Sequence, residues 1–361
     1  MTNFEKWDNE FKTQNMFAFN FNANALLWLK VRAICRGKQL RQFLKANAIT
    51  LSSSKIADQN IELFEKLETM PHAMTLLDSF LNEKNHEWYN TIGIDEQTLK
   101  NDLYKIHHYI WGGDQNNSLD KHLVSRYVKV ISNYDILLAK QNEIADNAWN
   151  YVQASWYNNW SSFLIESLFK RHPNVISAVG EIKNVDFFIN NNPIDLKVTY
   201  FPNQYMDEKL KEKLGKRELT WLKQKAKDYE IKIDCTQSES QQLYVLSEKL
   251  LEIGKTDILN ELNDTKRKVI NETQTNPIEL ITWLYSNQGE MRFGAENRLF
   301  LILIDSTDMT QSWKMKRAFS LIEPKINDYL DKFNDKSLTE INFSFKGNRY
   351  KSLADTIFVV K

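Results

Sequence analysis

The sequence predicts an α+β fold with a mostly helical N-terminal domain. Residues 1–150 are dominated by apolar residues at helical spacing, three short apolar runs follow between residues 175 and 200, and a longer apolar run covers residues 299–304. Helical segments separate the second and third features, as expected for a strand meander joined to a buried strand by helices. The length of 361 residues suits about two domains. We therefore expect a helical domain over 1–150 and an α+β domain over 151–361.

The N-terminal segments are predicted from apolar spacing and from breaker residues. Gly37 predicts a break within a helical stretch, and the serines at 52–54 predict an N-terminal cap before Ile56. A further helix is expected to start at Pro71, and the polar loop 112–117 is expected to separate the last two. The predicted helical ranges are 25–45, 56–67, 71–81, 95–110 and 119–138.

After residue 150 the pattern changes to alternating helices and short strands. A helix with an aromatic face ends at His172-Pro173, because proline does not continue a helix. The run 299–304 is apolar throughout and predicts a strand buried on both faces. The predicted helices are 150–171, 206–230, 244–270 and 313–333, and the predicted strands are 175–179, 185–189, 194–200, 299–304, 342–345 and 356–360.

Composition excludes several classes of protein. The 47 basic and 47 acidic residues balance, which argues against a histone-like protein coated in positive charge. No run of 18 apolar residues and no N-terminal signal are present, and Cys35 and Cys235 lie far apart without metal-ligand spacing. We expect a cytoplasmic protein that has no membrane partner. Glycine-rich phosphate loops are also missing from the sequence, so no nucleotide cofactor is expected.

An acid-free basic window covers residues 11–57. In a chain with as many acids as bases, such a window predicts a surface that meets phosphates. An ordinary helix whose acidic partners come from elsewhere in the fold is the alternative. The candidate DNA-binding residues within the window are Lys30, Arg32, Arg36, Lys38, Arg41 and Lys45.

Two predicted strands each carry an aspartate among apolar residues. Asp186 lies in the run 185–189, and Asp195 is followed by Leu196 and Lys197 in the run 194–200. Side chains at i and i+2 of a strand share a face, and an antiparallel turn through 190–193 would bring Asp186 near Asp195. Converging carboxylates favour a hard cation such as Mg²⁺, with Mn²⁺ as a substitute, and Leu196 adds a backbone carbonyl. An exposed hairpin with an ordinary cross-strand ion pair is the alternative.

These residues resemble the PD-(D/E)XK nuclease superfamily, and in particular type II restriction endonucleases. The match is Asp186, eight residues, then Asp195-Leu196-Lys197, with Val185 where the family usually has proline. The resemblance covers about residues 155–305. Glu166, on the preceding helix, matches the place of the family's additional metal-site glutamate. Glu181, on a predicted turn between strands, is its rival.

The resemblance implies a function. Asp186 and Asp195 would bind Mg²⁺, Lys197 would orient the attacking water, and Glu166 would complete or support the metal shell. The substrate would be double-stranded DNA, cleaved to a 5′-phosphate and a 3′-hydroxyl, and sequence-specific members usually act as homodimers. Two rival functions remain open: a repair, resolvase or phage-defence nuclease without sequence-specific cutting, and a non-catalytic nucleic-acid-binding protein.

Three other constellations are weaker. An HNH-type site would use His107, His108, Asn116, Asn117 and His122, but that site needs a hairpin and the region is predicted helical. The lysine-rich stretch 209–228 is mixed with acids and predicts a solvated helix face, part of which could touch the DNA backbone. Arg292 and Arg298 could contact phosphates or bases, or serve ordinary surface roles.

Overall fold

The computed structural model describes residues 1–111, 118–182, 185–287, 296–334 and 336–361, without the side chains of 179–181. Within these ranges the chain is a mixed α+β fold, in which helices surround one curled sheet of six strands. No helix in the described ranges is both long and apolar enough to cross a membrane. The predicted polar loop 112–117 lies outside the described residues.

The N-terminal part is helical, as predicted. Gly37 begins a new helix, so the expected break in the first stretch is confirmed. A short 3₁₀ turn, Met16–Phe19, and a π-helical turn, Val124–Val128, accompany the α-helices. These are α1 (Asn3–Lys12), α2 (Ala23–Ala33), α3 (Gly37–Ala46), α4 (Ile56–Glu68), α5 (Ala73–Ile92), α6 (Glu96–Leu103), α7 (Leu119–Leu123) and α8 (Tyr134–Ala139).

Four N-terminal predictions were wrong in detail. Helix α5 begins at Ala73 and not at Pro71, and the helix expected over 119–138 is interrupted over 129–133. The serines at 52–54 do not cap α4 with their side chains; instead the Glu62 carboxylate accepts the backbone N–H groups of Ser52 and Ser53. Helix α6 ends at Leu103, seven residues earlier than expected. The guanidinium of Arg317 donates to the carbonyl of Leu103 at 2.8 Å, which satisfies a helix-end acceptor.

The second half alternates helices and strands in the predicted order. Helix α9 runs through residue 150, so the predicted domain boundary falls inside a helix, and the division into two domains stays a prediction. The elements are α9 (Gln141–Lys170), β1 (Val175–Ile182), β2 (Val185–Ile189), β3 (Asn192–Tyr200), α10 (Asn203–Leu214), α11 (Glu218–Lys227), α12 (Glu239–Glu252), α13 (Thr256–Thr275), α14 (Ile278–Asn287), β4 (Arg298–Ile304), a 3₁₀ segment (Met309–Arg317), α15 (Phe319–Lys332), β5 (Thr339–Phe345) and β6 (Asn348–Val360).

The sheet has the strand order β1-β2-β3-β4-β6-β5. The first three strands form an antiparallel meander, β3, β4 and β6 run parallel, and β5 closes the sheet as a hairpin with β6. Every residue of β4 is buried, which confirms the expected central strand. Parallel neighbours with helices on both faces explain why this strand is apolar from Leu299 to Ile304.

A two-residue turn joins β2 to β3. Ile189 pairs with Asn192, and the turn residues Asn190 and Asn191 have φ angles of 46° and 68°. Positive φ at both central residues matches the right-handed twist of a hairpin, and asparagine tolerates it better than most residues. The turn therefore fixes the register of the two strands that carry Asp186 and Asp195.

Three helical layers cover the sheet. Helices α9 and α15 pack on one face, where Phe187, Ile194 and Leu301 point. On the other face the N-terminal helices cover β1 and β2, whereas α10–α14 cover β4, β5 and β6. Strand β3 lies between these two layers. On that face it presents polar side chains, which the following section describes.

Candidate active site

Asp186 and Asp195 face each other across the β2–β3 hairpin. The paired residues of the two strands end at Phe187 and Ile194, and one further step in the same register places Asp186 opposite Asp195. Residues directly opposite in an antiparallel pair have their side chains on one face of the sheet. The predicted convergence of the two aspartates is therefore what the strand register produces.

The carboxylate of Asp186 replaces a backbone partner at this point. The N–H of Asp195 donates to the carbonyl of Asn297, just before β4, at 2.9 Å, so the next N–H, that of Leu196, points toward β2. It donates to Oδ2 of Asp186 at 2.8 Å. The side chain thus satisfies an amide that the end of the strand pairing would otherwise leave without an acceptor. This hydrogen bond also fixes the orientation of the carboxylate.

The electrostatics of Asp186 are those of a crowded acidic site. The pKa of its carboxyl is raised to about 6, first by burial and then by the negative charges of Asp195 and Glu166. The hydrogen bond from Leu196 and the positive charge of Lys197 act in the opposite direction. Converging carboxylates raise one another's pKa unless a cation compensates them. The site therefore favours either a proton or a cation on Asp186.

The buried carboxylate of Asp195 lies between two cationic side chains. Nζ of Lys197 lies 2.9 Å from Oδ1 of Asp195, and Nε of Arg298 lies 3.3 Å from Oδ2. Arg298 also contacts the buried carboxylate of Glu296, 3.0 Å away. Arg298 is only 6% exposed, so its predicted contact with phosphates or bases was wrong. Arg292 lies outside the described residues.

Glu166 lies on the last turns of α9 and forms a salt bridge with Lys170. Both residues line a cleft of about 690 Å³ together with Asp186, which we call the acidic cleft. Glu181 lies within β1, so its predicted place on a turn was wrong, because the strand extends to Ile182. Its side chain lies outside the described residues.

The donor set at Asp186 and Asp195 fits a hard divalent cation. Carboxylate and carbonyl oxygens are the ligands that Mg²⁺ prefers, and this ion usually keeps several waters. Among the described residues, no group of three or more His, Cys, Asp or Glu side chains is placed so that it could hold a metal ion. A cation here would therefore rest on the two aspartates, with the Leu196 carbonyl and waters completing the set.

The N-terminal helices supply a second wall of the acidic cleft. The cleft is lined by Asp186 and Glu166 together with Lys38, Gln39 and Gln42 from α3 and Lys84 from α5. Of the residues from α3 and α5, only Lys38 was predicted as a functional residue. The spacing of Lys170 four residues after Glu166 could have indicated their pairing. No local pattern indicated Lys84 or the two glutamines, because long-range packing brings them to the site.

The predicted basic surface divides into buried and exposed parts. Lys30 is fully buried, and its ammonium lies 2.5 Å from Oδ1 of Asp78 and 2.8 Å from Oδ1 of Asn191. A side chain engaged in the interior does not reach a phosphate, so the prediction for Lys30 was wrong. Arg32 is half-buried, with its guanidinium 5.4 Å from the ring centre of Trp28. Arg36 is exposed at the start of α3.

Three exposed cations share one face of α3. Lys38, Arg41 and Lys45 are three and seven residues apart, and Leu40 and Phe43 bury the opposite face. Within the described part of the chain, these three cations form no salt bridge. We call Lys38, Arg41 and Lys45 the α3 basic face. It borders the acidic cleft through Lys38.

The weaker constellations remain scattered. His107 and His108 are exposed in an irregular segment, whereas His122 is buried on α7, 5.0 Å from Trp111 between ring centres. Asn116 and Asn117 lie outside the described residues. The lysine-rich stretch 209–228 carries ion pairs such as Lys213–Glu272 and Lys225–Glu261, as expected for a solvated helix face.

No family model matches the sequence. No curated protein and no solved structure shows significant similarity to the chain either.

Proposed function

We propose that this chain is a Mg²⁺-dependent DNA endonuclease of the PD-(D/E)XK type, with type II restriction enzymes as the nearest functional model. The observation that carries the proposal is the placement of Asp186 opposite Asp195, with Lys197 on the same strand face. The hydrogen bond from the Leu196 amide to Asp186 supports it, because it orients the carboxylate at the point where the strands separate.

The residues would divide the chemistry as follows. Asp186, Asp195 and the Leu196 carbonyl would hold Mg²⁺, and Glu166 would support the shell from α9. The bound ion would supply an activated water and would stabilise charge on the phosphate. The side chain of Lys197 is 42% exposed, so its ammonium can reach a phosphate oxygen or a water. The guanidinium of Arg298 donates to Oδ2 of Asp195, so Arg298 would act as a positioning residue for that carboxylate.

The α3 basic face gives a neutral protein a local surface for DNA. Lys38 joins that face to the acidic cleft, so a phosphate backbone bound along α3 leads toward Asp186. Lys and Arg contacts to phosphates position a duplex without reading its sequence. Double-stranded DNA as substrate and a homodimer on palindromic sites are part of the proposal by analogy with restriction enzymes. A nuclease of the same fold without sequence specificity would use the same residues for cleavage but would not recognise a particular base sequence.

One observation favours a second candidate, a non-catalytic nucleic-acid-binding protein. Both carboxylate oxygens of Asp195 contact cations, Lys197 and Arg298. Such pairing also suits a purely structural ion network, since buried charges need partners. In that case the α3 basic face would bind nucleic acid and the strand acids would only stabilise the fold.

Plasmid cleavage in the presence and absence of Mg²⁺ separates these functions. We expect wild-type cleavage to require Mg²⁺ or Mn²⁺, and Asp195→Asn and Lys197→Ala to reduce the rate by about 100-fold or more. The matched control is Asp264→Asn, a change on an exposed aspartate of α13. Undiminished cutting by the two site variants would contradict the proposal. Discrete fragments would favour a restriction enzyme, and a smear would favour the non-specific nuclease.

The third acidic ligand is tested by a pair of variants. If Glu166 supports the metal, Glu166→Gln raises the Mg²⁺ concentration needed for half-maximal cleavage, whereas Glu181→Gln leaves it unchanged. The reverse result would assign the role to Glu181. Light scattering on DNA-bound protein measures the homodimer.

A further inference from the structure

A second cleft, of about 890 Å³, lies at the C-terminal end of β3. Its walls are rich in aromatic rings and amides, and we define it by five of its residues as the aromatic cleft: Tyr109, Trp283, Trp313, Asn203 and Gln311. The proposed nuclease residues do not line it. It opens where β3 and β4 end, at the edge of the sheet where open α/β folds commonly bind ligands.

The rings of the aromatic cleft are held in place. Tyr109 and Trp313 stack at 5.4 Å with an interplanar angle of 9°. The hydroxyl of Tyr157 donates to the carbonyl of Trp313 at 2.9 Å, and the indole N–H of Trp283 donates to Glu208 at 3.0 Å. Such fixed rings can stack on a flat ligand without losing much conformational freedom on binding.

Charges of both signs surround the aromatic cleft: the carboxylates of Glu208 and Asp308 accept from the lining residues Trp283 and Thr310. No aspartate or glutamate lines it within the described ranges. The ammonium of Lys314 lies 5.6 Å from the ring centre of Trp313. Aromatic faces, amides and a nearby cation are together the elements with which proteins bind single-stranded nucleic acid.

One strand face links the aromatic cleft to the proposed nuclease site. Thr199 lines the cleft, and it shares its strand face with Asp195 and Lys197, because the three residues alternate along β3. Thr199 lies four residues after Asp195, a distance of about 13 Å at the usual rise per residue of a strand. Strand β3 lies between two helical layers on this face. A nucleic-acid backbone following this face of β3 from Lys197 therefore reaches Thr199 and the side of the cleft formed by Trp283, whereas Tyr109 and Trp313 pack with the cluster on the other face of the sheet.

We propose that the aromatic cleft binds an unpaired nucleobase of a nucleic-acid strand whose backbone passes Lys197. The ring of the base would stack on the aromatic wall, and Asn203 and Gln311 would offer hydrogen bonds to its edge. The choice of nucleic acid rests on the proposed function. Aromatic rings and amides also bind sugars, but the position of Thr199 two residues after Lys197 on the same strand face favours a strand whose phosphates reach that ammonium.

The test measures binding apart from cleavage. The full-length protein in EDTA is titrated against a fluorescein-labelled octathymidylate, with fluorescence anisotropy as the readout and thymidine 5′-monophosphate as competitor. We expect Trp283→Leu to raise the Kd about 10-fold, in line with the loss of one base–aromatic stack. Asn203→Ala changes an exposed side chain, so it tests the cleft without a risk to folding. The control is Tyr244→Ala, an exposed aromatic on α12.

Photocrosslinking locates the base directly. An octanucleotide with one 5-iododeoxyuridine is irradiated with the protein, and the linked peptide is identified by mass spectrometry. Linkage to Tyr109, Trp283 or Trp313 supports the inference. An unchanged Kd in both cleft variants, the lack of any link to these peptides, or competition by maltohexaose and not by the nucleotide would each overturn it.

The two proposals fail differently. If the octanucleotide links to the aromatic cleft but plasmid is never cut, the cleft binds nucleic acid and the nuclease proposal falls. If plasmid is cut normally by Trp283→Leu and octathymidylate binding is unaffected, the nuclease proposal stands and the cleft inference falls.

Discussion

The ammonium of Lys30 lies 2.8 Å from the side-chain oxygen of Asn191, in the turn between the two strands that carry Asp186 and Asp195. The same ammonium forms a salt bridge with Asp78 on α5, and Lys30 itself lies on α2. One fully buried lysine thus connects two N-terminal helices to the hairpin of the candidate site. Burial lowers the pKa of Lys30, and the charge of Asp78 opposes that shift.

The first prediction concerns this connection. Lys30→Met keeps most of the stem but leaves Asp78 and Asn191 without their donor, and breaking a buried pair in this way costs about 3 kcal/mol of unfolding free energy. Urea unfolding measures the loss. Lys12→Met, at a lysine whose side chain is 72% exposed, should change stability by less than about 0.5 kcal/mol. Equal stability of the two variants would show that the buried contact contributes nothing.

The second prediction concerns the α3 basic face. If Arg41 and Lys45 each contact one DNA phosphate, the double change to alanine should reduce the slope of log K against log salt by about 2. Affinity for unrelated DNA sequences should fall by the same factor, because phosphate contacts carry no sequence information. Binding is measured by anisotropy from about 50 to about 500 mM salt, which is one decade in concentration. Lys332→Ala on α15 is the control, and an unchanged slope in the double variant would remove α3 from the DNA surface.

The third prediction concerns Lys316, a buried lysine whose ammonium contacts Oδ1 of Asn158 at 3.0 Å. Burial lowers its pKa to about 8. A lysine with a lowered folded-state pKa gives its full stability above the unfolded value near 10.5, and that stability is lost as pH falls through 8. Wild-type stability should therefore rise between pH 7 and pH 10 relative to Lys316→Met.

Unfolding free energies of the two proteins at pH 7, 8.5 and 10 check the dependence on Lys316. Lys332→Met, an exposed lysine change, supplies the baseline. A constant difference between wild type and Lys316→Met across this range would mean that Lys316 is charged throughout.

The strands of the site could be predicted from sequence because their signals are local. The runs 185–189 and 194–200 have strand composition, and the asparagines between them favour the positive φ angles of a tight turn. Their register followed from the turn, so the approach of Asp186 to Asp195 could be anticipated. The Asp195–Lys197 pair likewise follows from the two-residue repeat of a strand.

What sequence could not give depends on long-range packing. Lys30 looks like any basic residue of the acid-free window, and only its partners on α5 and in the hairpin turn reveal that it is buried. In the sequence Arg298 resembles a surface cation at the start of an apolar run, although in the fold it is the first residue of β4 and pairs with Asp195 and Glu296. The aromatic cleft is lined by residues between positions 107 and 313, so no local sequence pattern predicts it.

The last prediction concerns the protonation of Asp186. Its pKa is raised to about 6, first by burial and then by the charges of Asp195 and Glu166. A group with a raised folded-state pKa contributes its full stability below the unfolded value, near 3.8, and that stability is lost as pH rises through 6. Asp186→Asn keeps an acceptor for the Leu196 amide but carries no charge. In EDTA it should therefore become more stable than wild type as pH rises from 4 to 7, by at most about 3 kcal/mol.

Metal reverses this order if the proposed function holds. A divalent cation that binds the ionised Asp186 and Asp195 stabilises the folded wild type by mass action, and Asp186→Asn loses most of that effect. At pH 8, a Mg²⁺ concentration of about 100 times its Kd should stabilise wild type by about 2.7 kcal/mol and the variant by much less. Thermal melts with Mg²⁺, Mn²⁺ and EDTA measure both effects, with Asp264→Asn as the control. A variant as responsive to metal as wild type would place the cation elsewhere, whereas a flat pH dependence without metal would show that Asp186 is ionised in the folded protein throughout.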